Sequence, residues 1–349
     1  MAVLSATNLT LLDHAKRLDP EGRIATIAEL LSTSNEILTD CVWKESNLPT
    51  GHREVIRTGL PDVYWRSLNQ GIPSSKSTTA QVDEACAIME ARSEVDKDLA
   101  MLNGNTAAFR LSEDAAFLEA MNQRMASTLF YGNPATDPKE FLGLANRYNS
   151  TAAGNGQNVL KAGGATAASQ TSIYLVCWGD QTVFCPFPKG SKAGLIHEDL
   201  GEQTVYTNGG SVAERMQALV TRYQWKCGLM VKDWRYAVRI ANIEAADLAT
   251  FKSGGTSNTQ DLDEWSTNII HLLARAIYRL PSQSMGRCAI YMNRTVHSAL
   301  SRMAMEKSLN FLNIEQGLTQ FGTAQSYLTF LGVPIRRCDA ITNTEAVIS

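Results

Sequence analysis

The chain has 349 residues, of which 44% are hydrophobic and 19% charged, and 32 Lys and Arg stand against 35 Asp and Glu for a net charge of −3. That apolar content supports a core and excludes a wholly disordered chain. The near balance of charge, with Arg336 and Arg337 as the densest basic cluster, argues against a protein that lives by gripping phosphates. No apolar run approaches the roughly 20 residues that span a bilayer. Residues 1–19 lack the basic start, apolar stretch and cleavage site of a secretory signal, so the expected origin is cytosolic.

Ile24, Ile27, Leu30, Leu31, Ile37, Leu38 and Val42 recur at three- and four-residue steps and predict an amphipathic helix that must lie on something. From about residue 47, Gly and Pro punctuate short β-capable runs, at residues 52–57 and 63–66 and from 78. This predicts a long hairpin-like excursion over 47–92. A lone two-stranded hairpin is marginal in water and would leave Leu60, Val63, Tyr64 and Trp65 poorly covered. The excursion therefore folds back on its own domain or lies on another subunit.

Ser112 is the expected cap of a long helix over 112–131, with Glu113 and Asp114 at its positive end. Phe117, Leu118, Met121, Met125 and Leu129 form its stripe, and Gly132 and Pro134 stop it. Residues 150–171 are Gly/Ala/Ser/Asn-rich and predict a loop. Runs 173–178 and 182–185 flank Gly179-Asp180-Gln181 as an expected hairpin. Ser211 to Glu214 reads as a capping box opening a short helix. Segments 223–231 and 234–243 read as a second strand pair, with Trp234, Tyr236, Val238 and Ile240 on one face and Arg235 and Arg239 on the other. Helices over 261–280 and 295–307 and strands over 288–292, 327–331 and 333–337 complete an α+β chain.

No motif for chemistry holds up, and no catalytic, cofactor or metal residue is assigned. Gly154-Asn155-Gly156 starts like a dinucleotide loop, but Val159 stands where the third glycine is needed. His197-Glu198 starts like a zincin helix, but Gly201 replaces the second histidine. Asp261, Asp263 and Glu264 fit a helix's first turn better than a metal site. His14, His52, His197, His271 and His297 are widely separated, and His271 reads as structural. Cys41, Cys86, Cys177, Cys185, Cys227, Cys288 and Cys338 are odd in number and lack a Cys-x-x-Cys, which reads as buried thiols rather than a disulfide framework. Trp65, Trp178, Trp225 and Trp234 lie in β-type segments without a basic surround, as core or interface anchors do.

Several stretches together resemble the major capsid proteins of tailed bacteriophages, particularly of short-tailed phages. Leu11 to Lys16 with Ile27-Ala28-Glu29-Leu30 resembles the N-terminal arm. Arg57 to Pro61, Trp65-Arg66 and Asn69-Gln70-Gly71 resemble the extended loop. Glu113 to Gly132, followed by Phe141-Leu142-Gly143-Leu144, resembles the spine helix and its exit. Ile290 to Arg294 and Phe330 to Ile335 resemble the axial domain.

The resemblance implies an N-terminal arm over 1–46, an extended loop over 47–92, a peripheral domain over 93–250 with spine helix 112–131, and an axial domain over 251–349. The long β segment over 223–243 precedes the axial block, which implies a permuted connection of the same fold. Some relatives crosslink a lysine to a neighbour's asparagine; Lys76 lies in the excursion, but no matching motif accompanies it.

The function implied is a non-enzymatic, cofactor-free icosahedral shell subunit of the virion, assembled in the host cytoplasm. Its partners would be many copies of itself, a scaffolding protein, a portal and a decoration protein, around double-stranded DNA held without sequence-specific binding and with no membrane. Expected inter-subunit contacts are Ile24, Ile27 and Leu31 in the arm and Leu60, Val63, Tyr64 and Trp65 in the excursion. The rival readings are an encapsulin-type compartment, an α+β enzyme whose site forms only in three dimensions, and an aromatic-rich carbohydrate- or nucleic-acid-binding virion protein.

Overall fold

A computed structural model describes residues 9–17, 33–102, 106–206, 215–245, 262–305, 312–318 and 324–348. In chain order the helices are α1 (Leu11–Lys16), α2 (Ile37–Asp40), α3 (Lys97–Met101), α4 (Thr106–Tyr131), α5 (Leu144–Arg147), α6 (Leu262–Arg279) and α7 (Arg294–Met305). The strands are β1 (Trp43–Glu45), β2 (Gly51–Gly59), β3 (Thr78–Ala85), β4 (Ala87–Asp96), β5 (Val159–Lys161), β6 (Gln170–Trp178), β7 (Val183–Phe187) and β8 (Leu195–Tyr206). They continue with β9 (Arg215–Cys227), β10 (Met230–Val231), β11 (Ala237–Glu244), β12 (Arg287–Met292), β13 (Leu312–Leu318), β14 (Ala324–Phe330) and β15 (Val333–Arg337).

The chain forms two compact units, one from Met1–Asn35, Ile88–Ser127 and Gly194–Lys226, the other from Glu36–Ala87, Thr128–Ala193 and Cys227–Ser349. Each unit is therefore built from stretches distant in sequence. The run over 223–243 is not one strand pair. Its first part ends β9, which pairs with β8, whereas β10 pairs with β7 and β11 with β5 and β6.

In the first unit the sheet runs β4-β9-β8. Helix α4 begins at Thr106, six residues before the expected cap. Ser112 is inside it, its hydroxyl donating back to the Phe109 carbonyl at 2.8 Å. The earlier start brings Phe109 into a small core with Val95 and Ala100, while Leu118, expected in the stripe, is 38% exposed. Arg110 ties the helix to β8 and β9 through Asp199 and Thr221. Thr10 caps α1 by exchanging hydrogen bonds with Asp13, holding that carboxyl below its usual range. The arm then meets α4: His14 packs on Phe109, Arg17 bonds Glu113 and Ser112, and the Thr33 amide bonds Glu119. Ile24, Ile27 and Leu31 lie outside the described residues, as do the expected capping box at 211–214 and the side chains of Asp261, Asp263 and Glu264.

In the second unit ten strands of the described residues join in one sheet, whose main path is β1-β7-β6-β12-β15-β14-β13. Every residue of β6 is buried, so both faces of this strand are covered. One face packs Ile173, Leu175, Val238, Ile240 and Ile290 against α6 and α7, which contribute Ile269, Leu273, Ile277, Val296 and Leu300. The Asn293 side chain caps α7 at the Thr295 amide. The other face places Tyr174 on Phe130 and lets the Trp178 indole donate to Tyr291. Arg336 and Arg337 are no free basic patch: they pair with Glu36, Asp40 and Asp339.

The expected hairpin over 173–185 does not form. After Gly179 and Thr182, β7 keeps a single parallel pair with β6, Trp178↔Val183, and takes the rest of its ladder from β1 in parallel and β10 in antiparallel register. Nor are all the cysteines thiols. Cys177 and Cys288, 111 residues apart in sequence, face each other across β6 and β12 and form a disulfide. Sequence spacing cannot show such a pairing, because strand register alone creates it.

Candidate assembly surface

The excursion is a two-stranded ribbon within the second unit. β2 and β3 pair antiparallel from Gly51↔Ala85 to Gly59↔Thr78. Beyond Gly51 and His52 neither strand has a buried residue. Such a ribbon gains little from its own faces, so its shape comes from polar contacts along it and from its foot. Arg53 grips Asp83 across the strands with two 2.6 Å bonds. Asn47 brackets the Arg53 backbone, donating to its carbonyl at 2.6 Å and accepting from its amide at 2.9 Å. The Thr58 and Thr78 hydroxyls meet at 3.1 Å, and the Ser75 hydroxyl donates to the Asp62 carbonyl. Asn69, at φ 64°, makes the turn at the tip.

The foot is tied down more firmly. Arg147 donates to both carboxylate oxygens of Glu84 and to the Leu229 carbonyl. Glu54 accepts from Lys232 at 3.3 Å and lies 3.2 Å from the His52 ring. Burial acts to raise the Glu54 pKa, but the bonds from His52 and Lys232 outweigh it and leave the carboxyl below its ordinary value. His52 is buried edge-on against Phe184. Gly51 sits where a side chain would strike the Glu84 carbonyl.

This framework holds apolar side chains out in water. Leu60 is 79% exposed, Val63 91% and Trp65 104%, with Tyr64 less so at 44%. All four lie on the segment that joins β2 to β3. Leu68, 93% exposed, and Ile72, 60% exposed, lie on the same segment and were missed. Lys76 is exposed on the same segment.

The residues weighed for chemistry are dispersed. His197 lies on strand β8 beside Tyr223, not on a helix. His271 is exposed, and burial depresses the pKa of His297. Among the described residues no group of three or more His, Cys, Asp or Glu is placed to hold a metal ion, and no helix is long and apolar enough to cross a membrane.

A cavity of about 410 Å³ in the second unit is lined by Tyr131, Asn146, Arg239 and the tail segment 342–348. The charges at its wall are already matched. Glu345 accepts from Tyr131, Ser172 and Arg239, and Arg239 also donates to the Ala145 and Tyr148 carbonyls. These bonds clasp the tail segment to the sheet.

Comparison with known proteins agrees with a shell subunit. The family model described as Major capsid protein GP7 matches residues 19–349. A chain from the structure of bacteriophage Epsilon15 is 30% identical, with 100% of this chain and 99% of that chain covered and a TM-score of 0.71. The bacteriophage JBD30 capsid is 10% identical, covering 89% of this chain and 92% of that one, at a TM-score of 0.46. The holo-SrpI encapsulin complex of Synechococcus elongatus PCC 7942 is 11% identical, covering 67% and 95%, at 0.42. At those scores the last two add nothing to the first. Among curated proteins no sequence matches. A family match over nearly the whole chain, with a phage relative superposing along its full length, means that the chain belongs to the Major capsid protein GP7 family and is a capsid shell protein of a tailed bacteriophage.

Proposed function

We propose that the exposed tip of the ribbon is the surface through which copies of this chain join into the icosahedral head shell. The observation that carries this is Trp65, fully in water at 104% exposure beside Val63 and Leu60. An aromatic side chain buries roughly 150–250 Å² when covered, worth on the order of 5 kcal/mol at about 25 cal/mol per Å². No strand of the ribbon offers it cover, so the cover is another copy. In a closed shell one such contact repeats with the symmetry, and modest contacts add up. Leu60, Val63 and Tyr64 extend the same contact, and Ile24, Ile27 and Leu31 are its proposed counterpart in the arm.

In this reading residues 1–46 act as the arm, 47–92 as the extended loop, 93–250 as the peripheral part and 251–349 as the axial part. The chain has no catalytic role. A scaffolding protein guides assembly in the host cytoplasm, a portal and a decoration protein complete the head, and double-stranded DNA is enclosed without sequence reading. The net charge of −3 is in keeping with a container that does not adhere to its contents.

The test is assembly. The purified chain, alone and with its scaffold, is sized by gel filtration and negative-stain microscopy, beside Trp65→Ala and Val63→Ser. Closed shells from the parent, with particle yield down at least tenfold in either variant and an unchanged unfolding temperature of the free chain, are expected. A monodisperse monomer under both conditions removes the shell reading, and full yield from both variants removes the tip as the contact.

A further inference from the structure

Cys177 lies near the end of β6 and Cys288 near the start of β12. The antiparallel register sets them directly opposite, between the pairs Arg287↔Trp178 and Ala289↔Val176. Facing each other in one ladder, the two cysteines can be joined without a change of strand register. Cys177 is fully buried and Cys288 half-buried.

The other five cysteines remain thiols. Burial raises the pKa of Cys41, Cys86 and Cys227, and pushes Cys338 up to about 12. Thiols in that state are poor nucleophiles. For Cys185 burial acts the same way, but hydrogen bonds with Cys227 and Cys41 outweigh it and lower the pKa to about 5; that thiol is fully buried and out of reach from solution. Cys288 is the one that combines access from solution with a second cysteine directly opposite.

We propose that Cys177 and Cys288 form a redox-responsive staple, a dithiol while the chain folds and assembles in a reducing cell, and a disulfide once the particle meets small-molecule disulfides outside. This rests on the reading that assembly takes place in the host cytoplasm, where thiols are kept reduced. Closure is two exchange steps. The Cys288 thiolate attacks one sulfur of the small disulfide RSSR, whose S–S bond breaks and releases RS⁻. The Cys177 thiolate then attacks the Cys288 sulfur of the mixed disulfide and expels the second RS⁻. Two electrons pass from the protein sulfurs to RSSR, and the two protons end on two RSH.

The consequence follows from where the staple sits. β6 and β12 are neighbours at the centre of the large sheet, with β7 and β1 on one side and β15, β14 and β13 on the other. A covalent bond between them joins the two halves of the sheet. It also closes a loop of 111 residues, which restricts the unfolded chain.

The experiment follows the sulfurs and the particle separately. Infected cells are quenched in acid and alkylated with N-ethylmaleimide under denaturing conditions. Particles collected after lysis are treated with oxidised glutathione or with dithiothreitol and digested for peptide mass spectrometry. The expected result is alkylated Cys177 and Cys288 inside cells and a linked 177–288 peptide after oxidised glutathione. The oxidised particles should unfold roughly 5–10 °C above reduced ones, and a Cys177→Ser/Cys288→Ser variant should form particles without that gain. A linked peptide already present in cells, two thiols after oxidised glutathione, or linkage with no change in unfolding temperature would each overturn the proposal. Absence of particles in every state would count against the shell reading alone, because linkage and unfolding temperature are read equally well on the unassembled chain.

Discussion

Arg147 of α5 holds Glu84 of β3 through two charge-assisted hydrogen bonds of 2.5 and 2.8 Å, with side chains only 12% and 14% exposed. Arg147 also donates to the Leu229 carbonyl, so one guanidinium joins the ribbon, a helix and the chain after β9. A planar fork is required for this, and a lysine offers only a point charge. Arg147→Ala should cost about 3 kcal/mol, because Glu84 would be left half-desolvated with no partner. Arg147→Lys should recover only part of that. Urea unfolding of the free chain reads the loss, and equal stability for parent and Arg147→Ala would show that the foot is held by something else.

The neighbouring carboxylate sets a pH dependence. Glu54 has a folded pKa below its usual 4.5, held there by His52 and Lys232 against the opposing effect of burial. A depressed carboxylate stabilises the fold fully above its unfolded pKa, and that contribution disappears as the pH falls through the folded pKa. Stability should therefore hold above about pH 5 and decline toward pH 3, and Glu54→Gln should be less stable near neutrality but flatter over that interval. Unfolding midpoints at half-unit pH steps check this. A parent and a variant with parallel curves would mean that Glu54 does not report on the foot.

Legibility followed the range of the physical signal. The ribbon was readable because Gly51, Gly59, Gly71, Pro61 and Pro73 punctuate it, and its tip residues were suspect because no partner strand could cover Trp65. Helix α6 and strand β15 were readable for the same local reasons, a 3.6-residue period stopped by Pro281 and a short apolar run after a Gly. What failed depended on distant partners. β7 looked like the antiparallel return strand of β6, but it meets β6 at a single parallel pair, Trp178↔Val183, and the rest of its ladder goes to β1 and β10. Arg239 looked like a residue on a polar face, but the tail covers that face. Cys177 gave no hint of Cys288, since only the register between β6 and β12 brings them together. The ties from Glu84 to Arg147 and from Glu54 to Lys232 were invisible for the same reason.

The tail clasp gives a sharp comparison between removing one charge and removing two. Arg239 and Glu345 are paired at 2.8 Å with side chains 5% exposed, and Asn242 bonds both the amide and the carbonyl of Ile348. Glu345→Ala should destabilise the chain by about 3–5 kcal/mol, since the guanidinium stays buried without its partner. Arg239→Met with Glu345→Leu should lose much less, because neither charge is then left alone. Chemical unfolding of both variants decides it. A double variant as unstable as the single one would place the value of this site in the remaining bonds to Ser172, Tyr131, Ala145 and Tyr148.

The hairpin between β14 and β15 carries an avoidable cost. Phe330 pairs with Val333, leaving Leu331 and Gly332 as a two-residue loop with φ of 49° and 79°. Positive φ at both central positions is the turn whose twist suits a hairpin, and Asn-Gly is its preferred pair. Gly332 adopts this freely, whereas the Cβ of Leu331 crowds the following carbonyl at about 1–2 kcal/mol. The leucine recovers little by packing, being 45% exposed. Leu331→Asn should therefore raise stability by roughly 0.5–1 kcal/mol and the unfolding temperature by about 1–3 °C, with no change in assembly if the side chain is solvated in the shell. A higher unfolding temperature with fewer particles would instead place Leu331 at a contact between copies, and an unchanged or lower temperature would mean that the turn is not strained.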